Sequence, residues 1–176
     1  MLTESDLHNY QHYAINVILD RKRCMLNQGM GIGKTICSLT AFTKVLNVEV
    51  KKCLIISPLN VAKTTWINEL SSWSHVKSLK YSLLIGNEKQ RLNAAQKEAD
   101  IYIINQENVP WLFEKGFRKY GFIIVDESQG FKSHSSNRFK ALKYFTSKYM
   151  LLLTGTPVPN GFMDWWSQIY LIDKGE

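Results

Sequence analysis

Six short apolar runs spread along 176 residues leave this chain few ways to fold. They lie at 24–26, 53–57, 80–85, 101–105, 122–126 and 150–154. Leu54-Ile55-Ile56, Phe122-Ile123-Ile124-Val125 and Leu151-Leu152-Leu153 have no polar residue in alternation. A strand with one wet face alternates, whereas one buried on both faces does not, so these runs predict a parallel sheet covered on both sides by helices. Helical patterns fill the gaps at 10–20, 34–46, 61–73, 87–98, 135–147 and 162–172. The clearest is 61–73, where Ala62, Trp66, Leu70 and Trp73 share one face, a stripe that reads as core packing. Strand and helix in regular alternation predict one three-layer α/β domain over 1–176 with a mostly parallel central sheet.

In such sheets ligands bind beyond the carboxyl ends of the strands, and the chemically distinctive residues of this chain cluster there. Residues 27–35 read Asn-Gln-Gly-Met-Gly-Ile-Gly-Lys-Thr, directly after the first run. Gly29, Gly31 and Gly33 lack the Cβ atoms that would keep a backbone from turning tightly around an anion. With Lys34 and Thr35 opening a helix, the segment predicts a phosphate cradle: backbone N–H groups around the phosphates, the Lys34 ammonium on the terminal ones, the Thr35 hydroxyl on Mg²⁺. The strict P-loop pattern has one further glycine where this chain has Gln28.

Asp126-Glu127 ends the fifth run. Adjacent carboxylates at a buried strand end need charge compensation, and Mg²⁺ with ATP supplies it. Asp126 then holds the metal, directly or through water, and Glu127 serves as general base toward the attacking water.

The balance of 22 Lys and Arg against 15 Asp and Glu, +7 overall, suits a polyanionic partner. No acid falls between Ser128 and Met163, while Lys132, Arg138, Lys140, Lys143 and Lys148 do. Contacts to nucleic-acid phosphates are expected from Lys132, with Lys140 and Lys143. The cysteines Cys24, Cys37 and Cys53 read as buried free thiols, without the pairing of a zinc site. His8, His12, His75 and His134 are scattered and read as surface or loop residues. No apolar run approaches the roughly 18 residues of a membrane span, and the polar start is unlike a signal peptide, so a soluble intracellular protein is expected.

The motifs, taken in order, resemble the first RecA-like lobe of a superfamily-two helicase, closest to the Swi/Snf-like DNA translocases, phage-encoded ones included. Leu7-His8-Asn9-Tyr10-Gln11 is similar to the family's adenine-sensing Leu-Arg-Pro-Tyr-Gln. Met30-Gly31-Ile32-Gly33-Lys34-Thr35 resembles Met-Gly-Leu-Gly-Lys-Thr. Leu54-Ile55-Ile56-Ser57-Pro58-Leu59 with Trp66 and Glu69-Leu70 looks like motif Ia. Gly86 with Arg91, then Ile104-Asn105-Gln106-Glu107, resemble the next landmarks. Asp126-Glu127-Ser128-Gln129 stands where the family has Asp-Glu-Ala-His, and Leu152-Leu153-Thr154-Gly155-Thr156-Pro157 with Asn160 matches motif III.

The resemblance implies an ATP-binding, ATP-hydrolysing lobe with Mg²⁺ as cofactor. Gln11 would read adenine. Gly29, Met30, Gly31, Ile32, Gly33, Lys34 and Thr35 would cradle the nucleotide, and Thr35 and Asp126 would hold the metal. Lys34, Glu127 and Gln129 would be catalytic, Thr154 and Thr156 would couple nucleotide state to the nucleic acid, and Ser57, Asn60, Lys63, Gln106 and Lys132 would touch it, most naturally as duplex DNA. If phage-encoded, the protein would work in the cytoplasm of a bacterial host. Three departures stand out: Gln28-Gly29 replaces Asp-Glu before Met30, His8-Asn9 replaces Arg-Pro, and Gln129 replaces the histidine that links the metal site to motif III. An amide both donates and accepts, so glutamine can still bridge. Family members place ATP between two such lobes, the second supplying arginine fingers, and a second lobe is expected in the same or another chain. The rival expectation is a nucleic-acid-binding module with a structural or regulatory nucleotide site, which has no use for Glu127 as a base.

Overall fold

The computed structural model describes residues 1–29, 31–155 and 162–175, with the backbone alone for 162–164. Six strands are present: β1 (Arg23–Asn27), β2 (Cys53–Ser57), β3 (Tyr81–Leu84), β4 (Ile101–Asn105), β5 (Phe122–Val125) and β6 (Tyr149–Thr154). They form one sheet in the order β1-β6-β5-β2-β4-β3, every pairing parallel. The expected fold class is therefore the observed one, and each strand lies within about two residues of its apolar run.

The helices are α1 (Asn9–Arg21), α2 (Lys34–Val45), α3 (Leu59–Lys63), α4 (Thr65–Ser72), α5 (Glu88–Gln96), α6 (Val109–Glu114), α7 (Asn137–Leu142) and α8 (Phe162–Asp173). Strand residues alternate between two cores. Cys53, Ile55, Ile101, Ile103, Phe122 and Ile124 pack with Ala14, Ile15 and Ile18 of α1, Leu39 and Phe42 of α2, and Trp66 and Leu70 of α4. Leu54, Ile56, Tyr102, Ile104, Ile123 and Val125 face α5 to α8 through Ala94, Leu112, Phe139, Leu142 and Leu171. Both strand faces are thus dry, the physical reason the runs are continuously apolar.

The helices depart from expectation in three places. The 61–73 pattern is two helices, broken at Thr64 (φ −120°, ψ −68°), although Ala62, Trp66, Leu70 and Trp73 are all buried as the stripe required. The 135–147 pattern yields only the short α7, capped by the Ser136 hydroxyl on the Phe139 N–H. A further short helix, α6, lies outside every expected helical pattern, with Pro110 in its first turn, where its missing N–H costs nothing.

Burial pushes the thiols of Cys24 and Cys37 up to about 11 and that of Cys53 well above its ordinary value, so all three stay protonated. His75, expected at the surface, is half-buried, with its Nε2 2.9 Å from the Thr40 hydroxyl and its ring edge-on to Trp73. Among the described residues no helix is long and apolar enough to cross a membrane.

Candidate nucleotide and metal site

Because every strand runs the same way, all carboxyl ends lie on one edge of the sheet. The strand order sets Asn27 of β1 beside Thr154 of β6, with Asp126 after β5 and Ser57 of β2 next in line. Neighbouring strands are ~4.8 Å apart, so residues distant in sequence meet along this edge.

The loop after β1 turns through two left-handed glycines, Gly31 (φ +79°) and Gly33 (φ +81°), the second capping α2. Gly33 is required on a second count. A Cβ there would lie 2.2 Å from the Gln11 Nε2 and 3.3 Å from the Ile36 Cγ2. Gln11 is itself buried: its Oε1 accepts from the His8 N–H at 2.8 Å and its Nε2 donates to the Ile32 carbonyl at 3.3 Å. The first turn of α1 thus touches the glycine loop directly. Lys34 Nζ donates to the carbonyls of Gln28 (2.7 Å) and Gly29 (2.9 Å), which holds the ammonium over the loop. Thr35 stands in the first turn of α2, half-buried. Met30 and Thr156 lie outside the described residues.

Asp126 is 8% exposed, and three donors meet its carboxylate. Ser57 Oγ and Trp66 Nε1 each donate to Oδ2 at 3.0 Å, and the Glu127 N–H donates to Oδ1 at 3.0 Å. Burial raises its pKa above the ordinary carboxylate value; Trp66 and Ser57 pull it down, and neighbouring Glu127 pushes it up. A carboxyl group that burial disfavours as an anion, with lone pairs left on Oδ1, suits a divalent cation. Mg²⁺ is commonly held by one or two carboxylates together with substrate phosphates. Among the described residues no group of three His, Cys, Asp or Glu could hold a metal without such help.

Glu127 adopts a left-handed backbone (φ +48°, ψ +55°), a conformation a non-glycine residue keeps only when its surroundings impose it. Gln106 Nε2 supplies part of that hold, donating to the carbonyls of Asp126 (2.8 Å) and Glu127 (3.1 Å). The Gln129 amide donates to Glu127 Oε2 and accepts from Thr154 Oγ1 at 3.0 Å. Glutamine therefore makes the bridge between the acidic pair and the end of β6.

Two residues expected to touch nucleic acid do not present themselves to it. Ser57 is fully buried with its hydroxyl committed to Asp126, and Gln106 is 4% exposed and braces the acidic turn. Ser57 reaches the Asp126 carboxylate from β2, next to β5, and Gln106 reaches the backbone of the acidic turn from the end of β4, one strand further. Asn60 and Lys63 are exposed, and Lys132 is half-buried.

Two contributors escaped the sequence reading. Trp66, read in the core stripe and in the motif Ia resemblance but not as a partner of the acidic pair, also places its indole N–H on Asp126, which a hydrophobic pattern cannot register. Ser128 and Gln168 are fully buried and share a 2.7 Å hydrogen bond that ties the acidic turn to α8. The Arg23 guanidinium then fastens the end of that helix to β1, donating to the carbonyls of Leu171 (2.8 Å) and Ile172 (2.5 Å).

The comparisons with known proteins agree with this architecture. The SWI2/SNF2 ATPase core of Sulfolobus solfataricus, solved in complex with dsDNA, superposes with a TM-score of 0.84 at 28% identity, over 97% of this chain and 36% of that one. Putative protein p41 of Acyrthosiphon pisum secondary endosymbiont phage 1 is 38% identical over 95% of this chain and 39% of its own length. Chromodomain-helicase-DNA-binding protein 8 of Xenopus tropicalis is 28% identical over 96% of this chain and 9% of its own. The chain thus spans well under half the length of these relatives. The family model described as SNF2-related domain matches residues 10–175, and the chain belongs to that family.

Proposed function

We propose that this chain is the ATP-binding lobe of a DNA translocase motor, holding Mg²⁺-ATP on the carboxyl edge of its sheet and hydrolysing it only together with a second RecA-like lobe. The observation that carries the reading is the hydrogen-bonded chain Glu127–Gln129–Thr154, set beside a glycine loop whose left-handed Gly33 packs against the Gln11 amide. Gly29 to Thr35 would wrap the phosphates, with Met30 in the same loop and Lys34 exchanging its loop carbonyls for the β- and γ-phosphate oxygens. Thr35 and Asp126 would hold Mg²⁺, which when bound neutralises phosphate charge. Glu127 would take the proton of the attacking water on its carboxylate, with Gln129 fixing that carboxylate's direction. Thr154, and Thr156 beyond it, would carry the state of the site along β6.

Duplex DNA is the polyanion proposed, since the dsDNA complex of the Sulfolobus relative and the charge of this chain support the same partner. Asn60, Lys63 and Lys132 would meet its backbone. Against a purely regulatory nucleotide site stands the effort spent on Glu127: a strained backbone and a dedicated amide serve no purpose without a base to position. An arginine finger contributes ~10³–10⁵ in rate in related phosphoryl transfer, so this chain alone should turn over ATP near background. A phosphate-release assay with and without duplex DNA tests this. Robust DNA-stimulated turnover by the isolated chain would overturn the dependence on a second lobe.

A further inference from the structure

The opposite edge of the sheet, where the strands begin, carries a feature that the nucleotide site does not use. Lys22 immediately precedes β1, Lys52 precedes β2, Lys119 lies just ahead of β5, and Lys148 precedes β6. In sequence they are scattered. In space the order β1-β6-β5-β2 makes them successive: Lys22, Lys148, Lys119, Lys52. Three strand spacings of ~4.8 Å spread this row over about 14 Å. Backbone bonds fix the entries side by side, from the Tyr120 N–H to Thr146 O (3.2 Å), from the Lys148 N–H to Gly121 O (3.1 Å), and from the Phe122 N–H to Lys52 O (3.1 Å).

A cleft of about 420 Å³ opens here, lined by Lys51, Lys52, Lys119 and Lys148 and by Thr146 and Ser147. A second cleft of about 530 Å³ adjoins it through Thr146 and Ser147 and adds Arg23 and Lys174, both already committed to backbone carbonyls. The carboxylates along this edge are Glu49, which pairs with Lys148 and with Lys22 at 3.6 Å, Asp173, which lines the second cleft beside Arg23, and Asp100 ahead of β4, whose Oδ2 accepts from the Lys80 N–H. Among the described residues no carboxylate pairs with Lys51, Lys52 or Lys119. Lys52 stands 5.4 Å over the Tyr102 ring, which restrains its ammonium.

We propose that this amino-terminal edge is a second phosphodiester-binding surface, which takes nucleic-acid backbone through Lys51, Lys52 and Lys119, independently of the carboxyl edge. It deepens the proposed function and rests on the chain working on nucleic acid. Ammonium groups in a row with two hydroxyls suit phosphate oxygens, and such contacts carry no base preference. One duplex strand presents a phosphate every ~3.4 Å along the axis, so Lys119 and Lys52, one strand spacing of ~4.8 Å apart, suit neighbouring phosphates. Tyr120, which lines the cleft, is buried rather than projecting as the aromatic wedge a lipid surface would take. Lysines flanking apolar strands also serve as gatekeepers against aggregation, which is the competing explanation.

The test is duplex binding by the whole chain, read by anisotropy of a labelled 30-bp DNA over a range of KCl concentrations. Three proteins are compared: wild type, Lys51→Gln/Lys52→Gln/Lys119→Gln, and Lys63→Gln/Lys132→Gln. Each lost phosphate contact lowers the slope of log K against log salt by ~0.9, so the first variant should lose about 2–3 in slope, additively with the second. In wild type, duplex should also protect Lys51 and Lys119 from acetylation, a readout that needs no variant. An unchanged slope with unprotected Lys51 and Lys119, while Lys63 and Lys132 still matter, overturns this inference and leaves the proposed function standing. Loss of solubility at constant slope makes the lysines gatekeepers and overturns it as well. Equal displacement by polyglutamate at matched charge assigns the edge to acidic protein and does the same. No duplex binding by wild type defeats both readings.

Discussion

Gly33→Ala should damage this protein through Gln11, and the damage can be apportioned. Alanine at φ +81° pays the left-handed strain of ~1–2 kcal/mol. Its methyl would also sit 2.2 Å from the Gln11 Nε2, so the amide must swing away. Gln11 then forfeits its bonds to the His8 N–H and the Ile32 carbonyl, each worth ~0.5–1.5 kcal/mol net. The single substitution therefore costs about 2–5 kcal/mol, and Gln11→Ala alone about 1–3 kcal/mol by the same bonds. In the double variant those bonds are lost only once, so the pair should cost about 1–3 kcal/mol less than the sum. Urea unfolding followed by tryptophan fluorescence measures all three. Additivity within ~0.5 kcal/mol would refute the contact and the direct link between the first turn of α1 and the glycine loop.

Trp66→Phe should destabilise the chelator-treated protein more at pH 7 than at pH 4. Burial already raises the folded pKa of Asp126, so the native state holds its proton more tightly and stability falls as pH rises through that folded value; removing the indole donor extends the fall. A deficit independent of pH would mean the indole does not serve the carboxylate. Gln129→Glu, which sets a second carboxylate against Glu127, should cost more stability at pH 8 than Gln129→Leu, and the difference should shrink in high salt; equal losses at low and high salt would contradict the Glu127–Gln129 contact. Ser128→Ala and Gln168→Met should each cost about 1–3 kcal/mol in thermal unfolding and be less than additive together, whereas strict additivity would dissolve the bond between the acidic turn and α8.

The strands were legible because burial on both faces writes itself as unbroken apolar sequence, as in Ile123-Ile124-Val125. The tight turn after β1 was legible because left-handed turns leave glycine at fixed spacing, as at Gly31 and Gly33. The same logic explains what stayed hidden. A single side-chain period runs through both α3 and α4, so the break at Thr64 left no trace in the pattern of Ala62, Trp66 and Leu70. Ser57 and Gln106 look like surface polar residues at strand ends. Only the strand order β5-β2-β4 reveals that Ser57 reaches the Asp126 carboxylate and Gln106 the backbone carbonyls of Asp126 and Glu127. Trp66 has one hydrophobic body and one N–H, and a periodicity argument sees the body alone. The Ser128–Gln168 pair spans 40 residues and required the placement of α8. Lysines ahead of the strands were visible singly, but their row exists only once the strands are ordered.

The central claim is that Lys34 and the loop around it bind nucleotide phosphates. Titration calorimetry of Mg²⁺-ATP into this chain, wild type against Lys34→Ala, tests it most directly. Bonds to charged groups are worth ~1.5–3 kcal/mol, which corresponds to about 10- to 150-fold weaker binding by the variant. Equal affinity of the two proteins would contradict the account.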